Sequence, residues 1–155
     1  MNKKIYIIGP VASGKSTLAR KLSKEMNIPY YELDNVVHER NPHGDRRRTP
    51  EEIEHIFSKI INSDNWIIEG VYRDCFYEGF ERCEKILLFE TGSVRRKIRI
   101  FKRWVFQNLG MEKCSYKPTL GMLTSMYRWS RDYGEKRKRI DSILEPYIDK
   151  IMFIK

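Results

Sequence analysis

The sequence predicts an α/β fold of three layers, with helices on both faces of a five-stranded parallel sheet. Three observations carry that expectation. Five short, nearly continuous apolar runs are spread along the 155 residues, as strands buried on both faces require. Helical patterns of 3.6-residue period separate them, and strands alternating with helices build parallel sheets. A glycine-bracketed loop, GPVASGKS from Gly9 to Ser16, joins the first run to the first helix.

Lys4 to Ile8 is the first strand. The loop after it fits G-x-x-x-x-G-K-[ST], in which backbone N–H groups, a lysine and the positive end of a helix surround phosphate oxygens. Gly9, Ala12, Ser13, Gly14, Lys15, Ser16 and Thr17 are therefore the expected nucleotide-binding residues. Lys15 would reach the β and γ phosphates and Ser16 would hold magnesium. A bare glycine turn is the competing reading; the strand before and the helix after weigh against it. That helix shows Leu18, Ala19, Leu22 and Met26 on one face and ends at Asn27.

Tyr30 to Leu33 reads as the second strand, with Asp34 just past its carboxyl end. Ligands of open parallel sheets bind outside that end, which makes Asp34 a candidate contact for an acceptor or for magnesium. Capping of the next turn by Asp34-Asn35 explains the pair equally well. The polar loop from Asn41 carries Arg46, Arg47 and Arg48. Guanidinium groups grip phosphate oxygens in pairs, although a short charge run is as often a solvated face. Thr49, Pro50 and Glu52 mark a helix start, followed by the stripe Ile53, Ile56, Phe57, Ile60 and Ile61.

Trp66 to Ile68 is the third strand, running into Glu69-Gly70-Val71-Tyr72-Arg73. A carboxylate there suits a magnesium site, held directly or through water, and Glu69 is the residue expected in that role. A strand-end acid paired with a nearby cation is the alternative. Lys85 to Phe89 is the fourth strand, with Thr91-Gly92-Ser93 as turn and cap. In the next helix Val94, Ile98, Phe101 and Val105 form the expected apolar stripe, and Arg99 and Arg103, four apart, share a face. Gly110 ends it. A further helical region begins at Thr119 and carries Leu123, Met126, Tyr127, Arg128, Trp129 and Arg131. After Glu135 to Arg139, the stripe Ile140, Ile143, Leu144, Tyr147 and Ile148 leads to a fifth strand, Lys150 to Ile154. Residues from about 95 to 135 thus form a basic helical insertion, either a nucleic-acid surface or a mobile cover over phosphates.

The length suits one domain, residues 1–155, and no repeat or linker divides it. No apolar run approaches the roughly 20 residues of a membrane span, and the start passes directly into a strand, so a cytoplasmic protein with no membrane partner is expected. Cys75, Cys83 and Cys114 are odd in number, without metal-site spacing, and read as reduced bystanders. The net charge of +9 fits a protein of nucleic acid or of polyphosphates.

With these residues in place, the chain resembles the adenylate-kinase-like branch of P-loop kinases. More narrowly it resembles the family named DNA topology modulation protein, over essentially its whole length. GPVASGKSTLARKLS, IPYYELDNVVHER, the RRTPEE helix start, WIIEGVYR and the KPT stretch carry the likeness. The resemblance implies a P-loop NTPase fold with strand order 2-3-1-4-5, a helical lid, and ATP and magnesium as cofactors. Where nucleoside monophosphate kinases end a strand in D-G-[FY]-P-R, this chain has Glu69 to Arg73. That match makes Glu69 the magnesium-side acid and Arg73 a ligand of the acceptor phosphate, while Glu for Asp and Tyr72 for proline depart from the pattern. Arg99 and Arg103 match the lid pair that stacks on adenine and contacts phosphate; Arg131 is a candidate second lid arginine that no local motif fixes. Kinases of small hydroxyl compounds place an acid where Asp34 stands. The chain has no residues past the fifth strand to match the loop that holds the adenine edge, which leaves base selectivity open.

The function expected is an ATP- and magnesium-dependent phosphotransferase for a small molecule or nucleotide. Lys15, Asp34, Arg73 and Arg103 would be catalytic, Ser16 and Glu69 would serve the metal, and Asp34, Arg47, Arg48 and Arg73 would bind the acceptor. The alternative is a nucleotide-responsive nucleic-acid-binding or DNA-topology regulatory protein, resting on the charge, on Lys136 to Arg139 and on the resembling family's name. Monomer and homodimer are both open, with Trp104, Phe106, Tyr127 and Trp129 forming either a lid core or a dimer face.

Overall fold

Five strands pair side by side in one parallel sheet: β1 (Lys4–Ile8), β2 (Tyr30–Glu32), β3 (Trp66–Gly70), β4 (Lys85–Phe89) and β5 (Ile151–Ile154). Their order is β2-β3-β1-β4-β5, and every pairing is parallel. The computed structural model describes residues 3–41, 44–90, 92–111 and 118–154, residue 93 by its backbone alone. Thr91, Cys114, Lys117 and the Pro42-His43 pair of the arginine loop lie outside the described residues. Strand number, direction and order are those the sequence and its resemblance imply.

Because side chains alternate across a strand, the apolar runs divide between two cores. Tyr6, Ile8, Trp66, Ile68, Ile86 and Leu88 face one side. There they meet α2 (Leu33–Val37), α3 (Pro50–Ile61), α4 (Glu78–Arg82) and the end of α6 (Leu120–Leu144) through Leu33, Phe57, Phe80 and Ile140. Ile5, Ile7, Ile67, Leu87 and Phe89 face the other side, where α1 (Lys15–Met26) covers them with Leu18, Ala19 and Leu22. α1 ends at Asn27, whose left-handed φ of 54° turns its N–H back to the Ser23 carbonyl. α3 starts on a reciprocal cap: Thr49 Oγ1 accepts from the Glu52 N–H at 3.3 Å, and the Glu52 carboxylate accepts from the Thr49 N–H at 2.8 Å.

Four sequence expectations change. β2 stops at Glu32, because fully buried Leu33 already belongs to α2, so Asp34 stands in a helical first turn rather than after a strand. β3 runs on through Glu69 and Gly70, which makes Glu69 a rung of the sheet, paired with Ile7. α6 is one 25-residue helix that contains the basic run from Lys136 to Arg139, not a second lid helix followed by a separate stripe.

The fourth change concerns α5 (Ser93–Asn108). Its expected apolar stripe faces outward: Val94, Ile98 and Phe101 are 69%, 63% and 53% exposed, while Arg96, Ile100 and Gln107 are buried. Ile100 instead anchors a third core with Leu123 and Met126, packed on Val11 and Ala12 of the glycine loop. Burial of Arg96 is tolerated because its stem is apolar, its guanidinium lies 5.9 Å from the Tyr133 ring centroid, and it donates to the Ser130 carbonyl. Trp104 and Tyr127 join this lid core; Trp129 is exposed. Among the described residues no helix is long and apolar enough to cross a membrane.

Candidate active site

The phosphate loop leaves β1 hard against β4. A Cβ at Gly9 would sit 2.6 Å from Phe89 Cβ, so only glycine permits that approach. Gly14, at φ +105°, turns the chain into α1 with no side chain capping the helix, which leaves its first N–H groups pointing at the loop. Lys15 is buried across this loop, donating to the Pro10 carbonyl at 2.6 Å and to Ser13 Oγ at 3.4 Å. Burial lowers its pKa from 10.5 to about 8, and the Arg103 charge adds to the fall, against the pull of Glu69 and Asp34.

Ser16, in the first turn of α1, donates to Glu69 Oε1 at 2.7 Å, joining residues 53 apart in sequence. Glu69 is buried, and desolvation raises its pKa against the opposing pull of Lys15 and the Ser16 hydroxyl. A hydroxyl and a carboxylate side by side are hard oxygen donors of the kind magnesium takes. Among the described residues no cluster of three or more His, Cys, Asp or Glu is placed to hold a metal. An ion here would draw the rest of its shell from water and phosphate, as magnesium in nucleotide sites does, and the pair fits that role.

On the acceptor side, Arg73 Nη2 donates to Asp34 Oδ1 at 2.6 Å. Arg73 Nη1 is buried without a hydrogen-bond partner, an open donor beside the carboxylate. Arg47 is exposed in a two-residue ribbon, His38–Glu39 with Arg46–Arg47, and its charge reaches Cys75 near Arg73. Arg48 departs from the expected role. Its Nη1 donates to the carbonyls of Asn35 and Val36, at 2.6 and 3.2 Å, bracing the free end of α2. Arg46 is likewise held, by Glu39 and Glu52.

From α5, Arg99 Nη1 donates to the Ser13 carbonyl at 3.0 Å, and the Arg103 charge is near enough to help lower the Lys15 pKa. Arg131 is not with them; it lines a separate cleft between α5 and α6. Two contacts went unread in the sequence. Arg137 reaches Glu90 at 2.9 Å, and Arg139 reaches Asp74 at 2.9 Å, where the Tyr72 hydroxyl also donates at 2.6 Å. Glu90 and Asp74 are visible as acids near strand ends, but nothing local announces partners 47 and 65 residues away.

The five-stranded parallel sheet, its order and the helices on both faces make an α/β fold shared with P-loop kinases. The chain aligns with shikimate kinase from Acinetobacter baumannii, solved in complex with shikimate, at a TM-score of 0.55 and 14% identity, covering 97% of this chain and 82% of that one. An uncharacterized protein from Eubacterium ventriosum aligns at a TM-score of 0.52 and 19% identity, over 86% and 78% of the two chains. In sequence, shikimate kinase from Legionella pneumophila is 45% identical over 38 residues, 24% of this chain and 22% of that protein. The match thus spans about a fifth of the curated relative's length. No family model matches the chain.

Proposed function

We propose that this protein is an ATP- and magnesium-dependent phosphotransferase acting on a small hydroxyl-bearing acceptor, with the whole chain working as one unit. One observation carries the reading: the Ser16–Glu69 contact at 2.7 Å, at the foot of a loop that already buries Lys15. Bound ATP supplies the phosphoryl group, and magnesium offsets charge on its oxygens. Ser16 and Glu69 place the ion at the mouth of α1. Lys15 leaves the Pro10 carbonyl for phosphate oxygen, regaining in the charged contact what burial costs it. Arg103 and Arg99 close the loop from the lid and oppose charge on the transferred group. Asp34 accepts a hydrogen bond from the acceptor hydroxyl and aligns it, Arg73 fixing the carboxylate's orientation. The spare Arg73 donor, with Arg47 nearby, favours an acceptor that also carries an anionic group.

The partial match to the Legionella enzyme supports kinase chemistry, and the motif likeness to the DNA topology modulation proteins is compatible with it. The nucleic-acid reading loses support, because Arg137 and Arg139 of the basic run are engaged by Glu90, Asp141 and Asp74. The test incubates protein, magnesium and ATP with a panel of nucleotides, hydroxy acids and sugars. Acceptor-dependent ADP release that disappears in Lys15→Ala is expected. No such release, together with unchanged ATP affinity in Lys15→Ala, would refute it.

A further inference from the structure

We propose that the cleft between α5 and α6 is a second anion site, separate from the phosphate loop, for a compact, multiply charged phosphate compound. The cleft has a volume of about 690 Å³, within the roughly 300–1,000 Å³ of small-molecule sites. Arg96, Lys97, Arg128 and Arg131 line it, and no acidic side chain does. At its base Arg96 is only 9% exposed. One nitrogen donates to the Ser130 carbonyl at 3.2 Å, but Nε is buried with no hydrogen-bond partner, and no carboxylate among the described residues pairs with the guanidinium. The Tyr133 ring and the Ser130 carbonyl offset part of the cost of burying this cation, and a bound anion would offset more. Asp132 lies 3.7 Å from Arg131 Nε, and Arg131 is 74% exposed; Glu90 and Asp141 act on the Tyr133 ring beside Arg96 without pairing with its guanidinium.

Along α5, Lys97 and Arg99 point about 160° apart at 100° per residue. Lys97 lines the cleft, whereas Arg99 is committed to the Ser13 carbonyl. None of the loop residues, and neither Asp34 nor Arg73, borders it. Its size and its four cationic side chains suit a small molecule that carries several negative charges. Gly134 completes the space, since a Cβ built there meets nothing within 4 Å.

Isothermal titration of the full chain with inorganic pyrophosphate tests this. Two sites are expected in the wild type and one in Lys15→Ala, so the outcome does not depend on whether the loop serves catalysis. In the Lys15→Ala background the remaining site should weaken at least tenfold in Arg128→Gln/Arg131→Gln. It should weaken comparably in Gly134→Leu, which keeps every charge, fills the open space and suits a helix better than glycine. A single site that vanishes in Lys15→Ala would overturn the proposal, as would affinity indifferent to the arginine pair. So would affinity unchanged in Gly134→Leu with duplex DNA competing through the same arginines, which would give the surface to nucleic acid.

Discussion

Burial of Lys15 in the glycine loop should be measurable as a pH dependence of stability. Its pKa falls from 10.5 to about 8 because its ammonium is desolvated. Below pH 8 the group is protonated whether the chain is folded or not. Between the two values the unfolded chain keeps a proton that the folded chain releases, so stability rises with pH across that window. Between pH 7 and pH 9 the gain from this one group is about 1.4 kcal/mol, from the ratio of proton-binding terms in the two states. Lys15→Met keeps the side chain's length and removes the titration. Urea denaturation of both proteins at pH 7 and pH 9 isolates the effect, because groups common to both cancel, such as the Cys83 thiol pushed up to about 11 by burial. The wild type should gain about 1–1.5 kcal/mol on the variant over that interval. At pH 7 the variant should be at least as stable as the wild type, despite losing the 2.6 Å contact with Pro10. A difference that stays flat with pH would refute the burial argument, and one that shrinks would mean that Lys15 gains a partner on folding.

Other outcomes follow from single contacts. A Cβ at Gly70 would stand 2.8 Å from Leu33 Cβ, so Gly70→Ala should lower stability by about 1–3 kcal/mol in urea. Combined with Leu33→Ala it should cost less than the sum of the two single changes. Thr49→Ala removes half of the reciprocal cap on α3 and should cost about 1 kcal/mol. Arg46 is the main cause holding the Glu52 carboxyl down at about 2, so NMR titration of Arg46→Ala should find it raised. Glu69→Gln should abolish the magnesium-dependent part of thermal stabilisation by a non-hydrolysable ATP analogue, and leave the magnesium-independent part.

The features legible in the sequence are those whose causes lie within a few residues. The loop spacing from Gly9 to Ser16, the Thr49-Pro50-Glu52 cap and the stop at Asn27 each act within one or two turns. Strand order came from resemblance, since periodicity does not say which runs are neighbours. The buried face of α5 is not legible locally: positions 94, 98, 101 and 105 and positions 96, 100, 103 and 107 lie on opposite faces, and only contact with Val11, Ala12 and α6 selects the second. The bracing role of Arg48 is not legible either, because the free carbonyls it meets belong to a five-residue helix with no clear signature of its own. The Arg137 and Arg139 contacts depend on α6 passing over the strand ends in one unbroken run.

The register of β3 against β1 has a consequence for how the site comes into being. Trp66 and Ile68 face one core, while Ile67 and Glu69 face the side on which α1 carries Ser16. A slip of one residue would invert that parity, sending the carboxylate among Tyr6, Phe76 and Phe80 and bringing two bulky side chains out of the aromatic layer. The same apolar partition that secures the sheet therefore proofreads the position of Glu69. Closing the core in the native register brings Glu69 to the side of the sheet on which Ser16 stands.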